Sequence, residues 1–163
     1  MDTETLRARY KPDRVQILLI GESPPVGGTF FYAANSNLFR YTREAFEAAL
    51  DRTWASDDDF LMFLKQCGFY LEDLCLEPVN GLASADRRAA RCTGEESLAE
   101  RLASISPEAV CVTPKAIASN VERAVSTAGL DVVPTLLPFP AMSWQAAYVT
   151  EMTTFLRRVR LDT

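Results

Sequence analysis

The sequence predicts an α/β fold, a three-layer α/β/α sandwich on a four-stranded parallel sheet. Three observations predict it. Short, wholly apolar runs such as Val15 to Ile20 read as strands buried on both faces. Segments with apolar residues at helical spacing separate these runs. The two kinds alternate along the chain, as they do where helical crossovers join parallel strands.

Taken in order, Val15 to Ile20 follows Pro12-Asp13 and reads as the first strand. Residues 37 to 52 place Leu38, Tyr41, Ala45, Phe46 and Ala49 on one helical face, with Ser36 as N-cap. A second short helix, DDDFLMFLKQCG, has an acidic first turn that suits the helix dipole and stops at Gly68. Phe69 to Leu76 is a strand bounded by Gly68 and Pro78. Pro78 to Thr93 is polar, with Asn80-Gly81 and a cluster of Arg87, Arg88 and Arg91. Thr93 with Glu96 fits a capping box that opens a helix running to about Ser104. EAVCVT is a third buried strand. Thr113-Pro114 reads as N-cap and first helical residue of a helix ending at Gly129. DVVPTLLPFP is a last strand ending in prolines, and a closing helix follows from Ser143. Its apolar face carries Trp144, Tyr148, Met152, Phe155, Leu156 and Val159.

The 163 residues predict one domain spanning 1–163, since domains run to about 100–200 residues. A hydrophobic content of 48% and a charged content of 24% are ordinary for a soluble protein. No apolar run reaches the ~18–20 residues of a membrane span. The start, MDTETLRARYKPDR, lacks the apolar core of a secretory signal, so a cytoplasmic protein without membrane contact is expected. Cys67, Cys75, Cys92 and Cys111 form no C-x-x-C pair and read as free thiols. The chain has no His, which removes the commonest general base, the His-dependent triads and most zinc sites. No metal or other cofactor is expected, and the chain is read as a monomer. A net charge of −5 does not favour nucleic-acid binding, although a local basic face is compatible with it.

Ligands of such folds sit outside the carboxyl ends of the strands. Those ends are Gly21-Glu22-Ser23, Asp73 to Asn80, Thr113-Pro114-Lys115 and Leu137 to Pro140. The first opens GESPPVGGTFFY, which is neither a dinucleotide loop nor a P-loop. Its two prolines remove backbone N–H groups that a phosphate cradle uses. A rigid turn of this kind fixes a side chain and shapes a pocket wall. Glu22 is that side chain, unless it is simply a solvated loop acid. Phe30, Phe31 and Tyr32 are either anchors that hold the loop down or a stacking platform for a flat ring.

LLIGESPP followed by FFY, combined with LLPFP before the last helix, resembles the uracil-DNA glycosylase superfamily. The resemblance runs from Val15 to Val159 and implies a uracil-DNA glycosylase-like fold. Gly21-Glu22-Ser23-Pro24-Pro25 falls on the family's G-E-A-P-G, with Glu22 at the acidic position and Pro25 replacing the final Gly. Phe31, or Phe30, falls on the aromatic that stacks on the flipped base. Glu72 or Asp73 falls on the base-reading residue, often Asn, and strand alternation leaves both open. The resemblance thus implies Glu22 as the catalytic group and Gly21, Ser23, Phe30, Phe31, Tyr32, Glu72 and Asp73 as the base site. Leu137-Pro138-Phe139-Pro140 falls on H-P-S-P, so Pro138, Phe139, Pro140, Met142, Ser143 and Trp144 form the implied nucleic-acid loop, with Met142 or Trp144 near its wedge.

The departures carry as much chemistry as the matches. Leu137 replaces the His that stabilises a departing uracil anion, and Ser23 stands where a water-positioning Asp is usual. No Cys precedes Cys67, so no iron–sulfur cluster is expected. An ionised Asp73 or Glu72 offers acceptors only, which repels uracil O4 and suits an edge with adjacent donors such as guanine. Two readings follow. One is a base-excising enzyme of altered specificity that takes a flipped nucleotide of DNA, with Glu22 acting on water or on the sugar and Arg87, Arg88 and Arg91 contacting phosphates unless they form a solvated charge cluster. The other is a non-catalytic module that binds DNA or a nucleotide. A small-molecule hydrolase built on Glu22 is a third.

Overall fold

The computed structural model describes residues 2–159 and 161. Its centre is a four-stranded, all-parallel sheet in the order β2-β1-β3-β4, flanked by helices. β1 is Ile17–Gly21, β2 Phe69–Asp73, β3 Ala109–Val112 and β4 Thr135–Leu136. The apolar run before Gly21 becomes β1 because it lies inside the sheet with both faces covered, and all five of its residues are buried. It pairs with β2 from Ile17↔Phe69 to Gly21↔Asp73, and with β3 from Ile17↔Ala109 to Ile20↔Val112. That register brings the carboxyl ends of β1 and β2 level with each other.

Six helices surround the sheet among the described residues: α1 (Thr3–Arg9), α2 (Asn37–Leu50), α3 (Asp57–Gln66), α4 (Ser84–Ile105), α5 (Ala118–Thr127) and α6 (Gln145–Arg158). α2 packs on α6, and α4 packs on α5. Ser36 caps α2 as its sequence position predicts, accepting from the Phe39 N–H at 3.1 Å. α3 stops where Gly68 takes a φ of +75°, a conformation that disfavours side chains with a Cβ. The apolar face of α6 is buried at Tyr148, Met152, Phe155 and Leu156. No described helix is long and apolar enough to cross a membrane.

Three local expectations are corrected, and one helix was not anticipated. The amino-terminal stretch holds a helix, α1, whose Asp2 N-cap accepts from the Thr5 N–H at 2.9 Å. Thr93 does not open α4. The Ala- and Arg-rich segment ahead of it is itself strongly helix-forming, so the helix starts at Ser84, and the Thr93 hydroxyl donates to Ala89 O. Thr113 does not cap α5, because its hydroxyl donates to Pro138 O at 3.1 Å. The Thr113–Pro114 bond is cis, Pro114 is extended, and a 3₁₀ turn at Lys115–Ile117 leads into α5. Finally, Trp144 leaves the apolar face of α6 and stands 57% exposed at its N-cap position.

One glycine inside α4 has a packing reason. A Cβ on Gly94 would lie 2.7 Å from Leu74 O and 3.3 Å from Leu74 C, just past the end of β2. Helix propensity alone favours Ala there by about 1 kcal/mol. The backbone clash is the larger effect, so Gly94→Ala is expected to destabilise the protein by about 1–3 kcal/mol in urea unfolding. A stabilised variant would show that α4 shifts freely away from Leu74.

Candidate functional site

The site is assembled by the first two strand ends. Beyond β1 the ladder continues: the Leu74 N–H donates to Gly21 O at 2.9 Å and the Cys75 N–H to Glu22 O at 2.8 Å. The backbone of Glu22 is therefore as fixed as that of a strand residue. Ser23 Oγ accepts from the Val79 N–H, and Asn80 Oδ1 accepts from the Val26 N–H, tying the proline turn to the loop after β2. The Phe30 N–H donates to Asn35 Oδ1 at 2.7 Å, which turns the chain into the 3₁₀ segment Phe31–Ala33.

Between these loops lies a cleft of about 590 Å³, within the ~300–1,000 Å³ range of small-molecule sites. Gly21, Glu22, Ser23, Phe30, Phe31 and Asp73 all line it, together with Phe139 from the loop after β4. The segments read as functional from sequence thus converge. Arg87, from the arginine cluster, and Asn80 and Pro114, from the strand-end segments, also contribute to its wall; Leu38, expected only on a helix face, does so too. Tyr32 and Glu72 do not line it, nor do Pro138, Pro140, Met142, Ser143 or Trp144.

Tyr32 has another task. β2 is an edge strand, and the Leu71 N–H on it donates to the Tyr32 hydroxyl at 2.7 Å. Leu71 O accepts from that hydroxyl at 3.3 Å and from Arg7 Nη1 at 3.0 Å. Side chains thus satisfy backbone groups that an open edge would present to another chain. Burial pushes the Tyr32 hydroxyl pKa well up, which keeps it a neutral donor.

The carboxylates at the two strand ends are held by different arginines. Glu22 Oε1 accepts from Arg87 Nε at 2.8 Å and Arg91 Nε at 2.7 Å, and Oε2 pairs with Arg87 Nη2. Burial alone would raise the Glu22 carboxyl, but hydrogen bonds from Arg87 and then Arg91 outweigh it and hold the pKa below the ordinary glutamate value. Asp73 Oδ2 accepts from Arg7 Nη2 at 2.8 Å, while Glu72 pairs with Arg101 and lies 3.8 Å from Arg7 Nη1. Burial pushes the Asp73 carboxyl up, and Arg7 pulls it part of the way back. Arg7 stays cationic: burial lowers its pKa, and Asp73 with Glu72 raises it by more.

Asp73 Oδ1 makes no hydrogen bond among the described residues and faces Gly21, where a Cβ would sit 2.6 Å away. The glycine at the end of β1 is therefore what lets the Asp73 carboxylate lie between the strands. Arg7 also stacks its guanidinium 5.3 Å from the centre of the Phe30 ring, so one side chain steadies both the acid and an aromatic wall. Sequence patterning gave no sign of Arg7. Arg101 left a faint one, since it lies three residues from Leu98 and beside Leu102, both buried on α4.

After β4 the chain passes Phe139, 42% exposed, and turns through Met142 and Ser143, which have φ of 51° and 73°. Left-handed backbone at two consecutive non-glycine residues costs roughly 1–2 kcal/mol each. It lifts Met142 to 90% exposure. The four cysteines are free thiols, and Cys75 beside Glu22 is pushed up in pKa, first by burial and then by that carboxylate. Among the described residues no group of His, Cys, Asp or Glu is arranged to hold a metal ion. No protein-family model matches the chain, and no curated protein matches it significantly, so the reading of the cleft rests on its geometry.

Proposed function

We propose that the strand-end cleft binds the base of a nucleotide, either free or turned out of a DNA strand. The finer fold assignment belongs to the same reading: a three-layer α/β/α sandwich of the uracil-DNA glycosylase kind. Its support is the parallel order β2-β1-β3-β4 with G-E-S-P-P after β1 and L-P-F-P after β4. One observation carries the functional proposal. Asp73, whose Oδ1 makes no hydrogen bond among the described residues, and the rings of Phe30 and Phe31, largely buried in the core, line the same cleft. A flat heterocycle takes its contact area from the rings and its polar selection from the acid.

While Asp73 is ionised, with Arg7 donating to Oδ2, its Oδ1 acts as an acceptor. It favours a base edge that presents an exocyclic amino group, above all with an adjacent ring N–H as in guanine, and disfavours the O4 side of uracil. The state of Glu22 favours binding over bond cleavage, because both of its oxygens accept from guanidinium groups. N-glycosidic hydrolysis keeps one supporting observation, the position of Glu22 in the wall beside the platform.

Calorimetric titration with guanosine, adenosine, cytidine and uridine nucleotides tests the proposal. Nucleotides with amino-bearing bases are expected to bind more tightly than uridine, and Asp73→Asn is expected to narrow that difference. Failure of every nucleotide to bind, or an unchanged order in Asp73→Asn, would sink it. A parallel incubation with single- and double-stranded DNA carrying uracil, hypoxanthine, xanthine or alkylated bases separates the two chemistries. Release of free base by the native protein and not by Glu22→Ala would establish the hydrolase.

A further inference from the structure

We propose that Arg87, locked by Glu22 and backed by Arg91, is an anion-binding group of the cleft that takes a phosphate of the bound nucleotide. The inference deepens the base-binding proposal, and it stands on charges that proposal does not use. Two guanidinium groups share one carboxylate at this wall, which leaves one positive charge over. Deeper in the network Asp73 and Glu72 pair with Arg7 and Arg101, and Arg7 also lies 3.5 Å from the exposed Glu4. At the cleft wall itself Arg87 and Arg91 face a single acid, Glu22, in a protein of net charge −5.

The geometry also leaves donors free. Arg87 spends Nε and Nη2 on Glu22, while its Nη1 makes no hydrogen bond among the described residues. Its side chain is 34% exposed and lines the cleft; Arg91, one helical turn further, lies outside the lining. A guanidinium held along one edge presents its other edge as a planar fork, which matches two phosphate oxygens. The two Glu22 contacts remove most of the side-chain freedom that Arg87 would otherwise lose on binding. Glu22 is thereby a positioning residue, and Phe30 and Phe31 on the same cleft place the base beside the anion. The same phosphate chemistry is offered by a free mononucleotide and by the backbone of a strand.

The test compares a nucleoside, its 5′-monophosphate, a trinucleotide containing it, and inorganic phosphate, each titrated into the full chain. The monophosphate is expected to bind about 10- to 100-fold more tightly than the nucleoside, the worth of a charge-assisted contact. That advantage should vanish in Arg87→Ala and persist in Arg88→Ala, whose side chain is exposed on the same helix and off the cleft. Arg87→Lys keeps the charge without the fork and should retain part of it, which covers the case of an unfolded alanine variant. A trinucleotide binding more tightly than the monophosphate points to a strand, and equal binding points to the free nucleotide; either outcome requires the site.

The two proposals fail differently. Equal affinity for nucleoside and monophosphate, or an advantage that survives in Arg87→Ala, overturns the anion site and leaves base binding intact. An Arg87-dependent response to inorganic phosphate with no binding of nucleoside upholds the anion site without the base. No response to any of the four ligands overturns both.

Discussion

Arg7→Ala is expected to lower the stability of the protein by about 3–5 kcal/mol, the cost of removing one partner from a buried ion pair. The Arg7 side chain is almost fully buried, and Asp73 beside it is only 4% exposed. Without Arg7, Asp73 keeps a buried charge with no hydrogen-bonded cation, and Leu71 O on the edge of β2 loses one of its two donors. Glu72 suffers less, because Arg101 still holds it. The cost should therefore shrink in an Asp73→Asn background, where no charge is stranded. Urea unfolding of the two single variants and the double variant measures this coupling. An Arg7→Ala cost below about 1 kcal/mol, or the same cost in both backgrounds, would show that Arg7 is not the counter-ion of Asp73.

Glu22→Gln is expected to cost about 1–3 kcal/mol near neutral pH, the range for charge-assisted hydrogen bonds, reduced because Arg87 is partly in water. The pH dependence follows from the depressed carboxyl. A group whose folded pKa lies below its unfolded value contributes stability above the unfolded value and loses it as pH falls. For Glu22 that window opens at the ordinary value of 4.5 and extends downward. The gap between native protein and Glu22→Gln should be constant above the window and close within it. A gap that stays constant down through the acid range would mean that the ion pairs to Arg87 and Arg91 contribute nothing in solution.

Much of this architecture is written in local patterns. The uniform apolar run before Gly21 announces a buried strand because no half-exposed strand tolerates it. Ser36 marks a helix start through its hydroxyl, and Gly68 a helix end through its backbone freedom. Gly21, Glu22 and the pair Glu72 and Asp73 were legible together for a topological reason, since parallel strands leave their carboxyl ends on one side of the sheet, while alternation left open which acid faces the cleft. Arg7 was not legible: α1 buries one residue, a charged one, and its partner lies 66 positions away. Thr93 misled because a good capping signature sits inside a segment that is already helical. Tyr32 follows Phe30 and Phe31 directly in the chain, yet the 3₁₀ turn sends its hydroxyl to the edge of β2, which periodicity has no means to record.

The placement of α1 has a consequence for motion. At seven residues it is shorter than the ~12–15 at which an isolated helix becomes even marginal in water. It persists through its attachments: Arg7 to Asp73, the Tyr10 ring stacked 5.9 Å from Tyr32, and the Tyr10 hydroxyl on Asp58. An element held by so few attachments is expected to open at a free energy below that of global unfolding. Each such opening would take the cation from Asp73 and a donor from Leu71 and let water reach the acid. The polar end of the site is thus coupled to the docking of a helix outside the sheet, and amide exchange across Thr3–Arg9 would report how often that acid is left without its arginine.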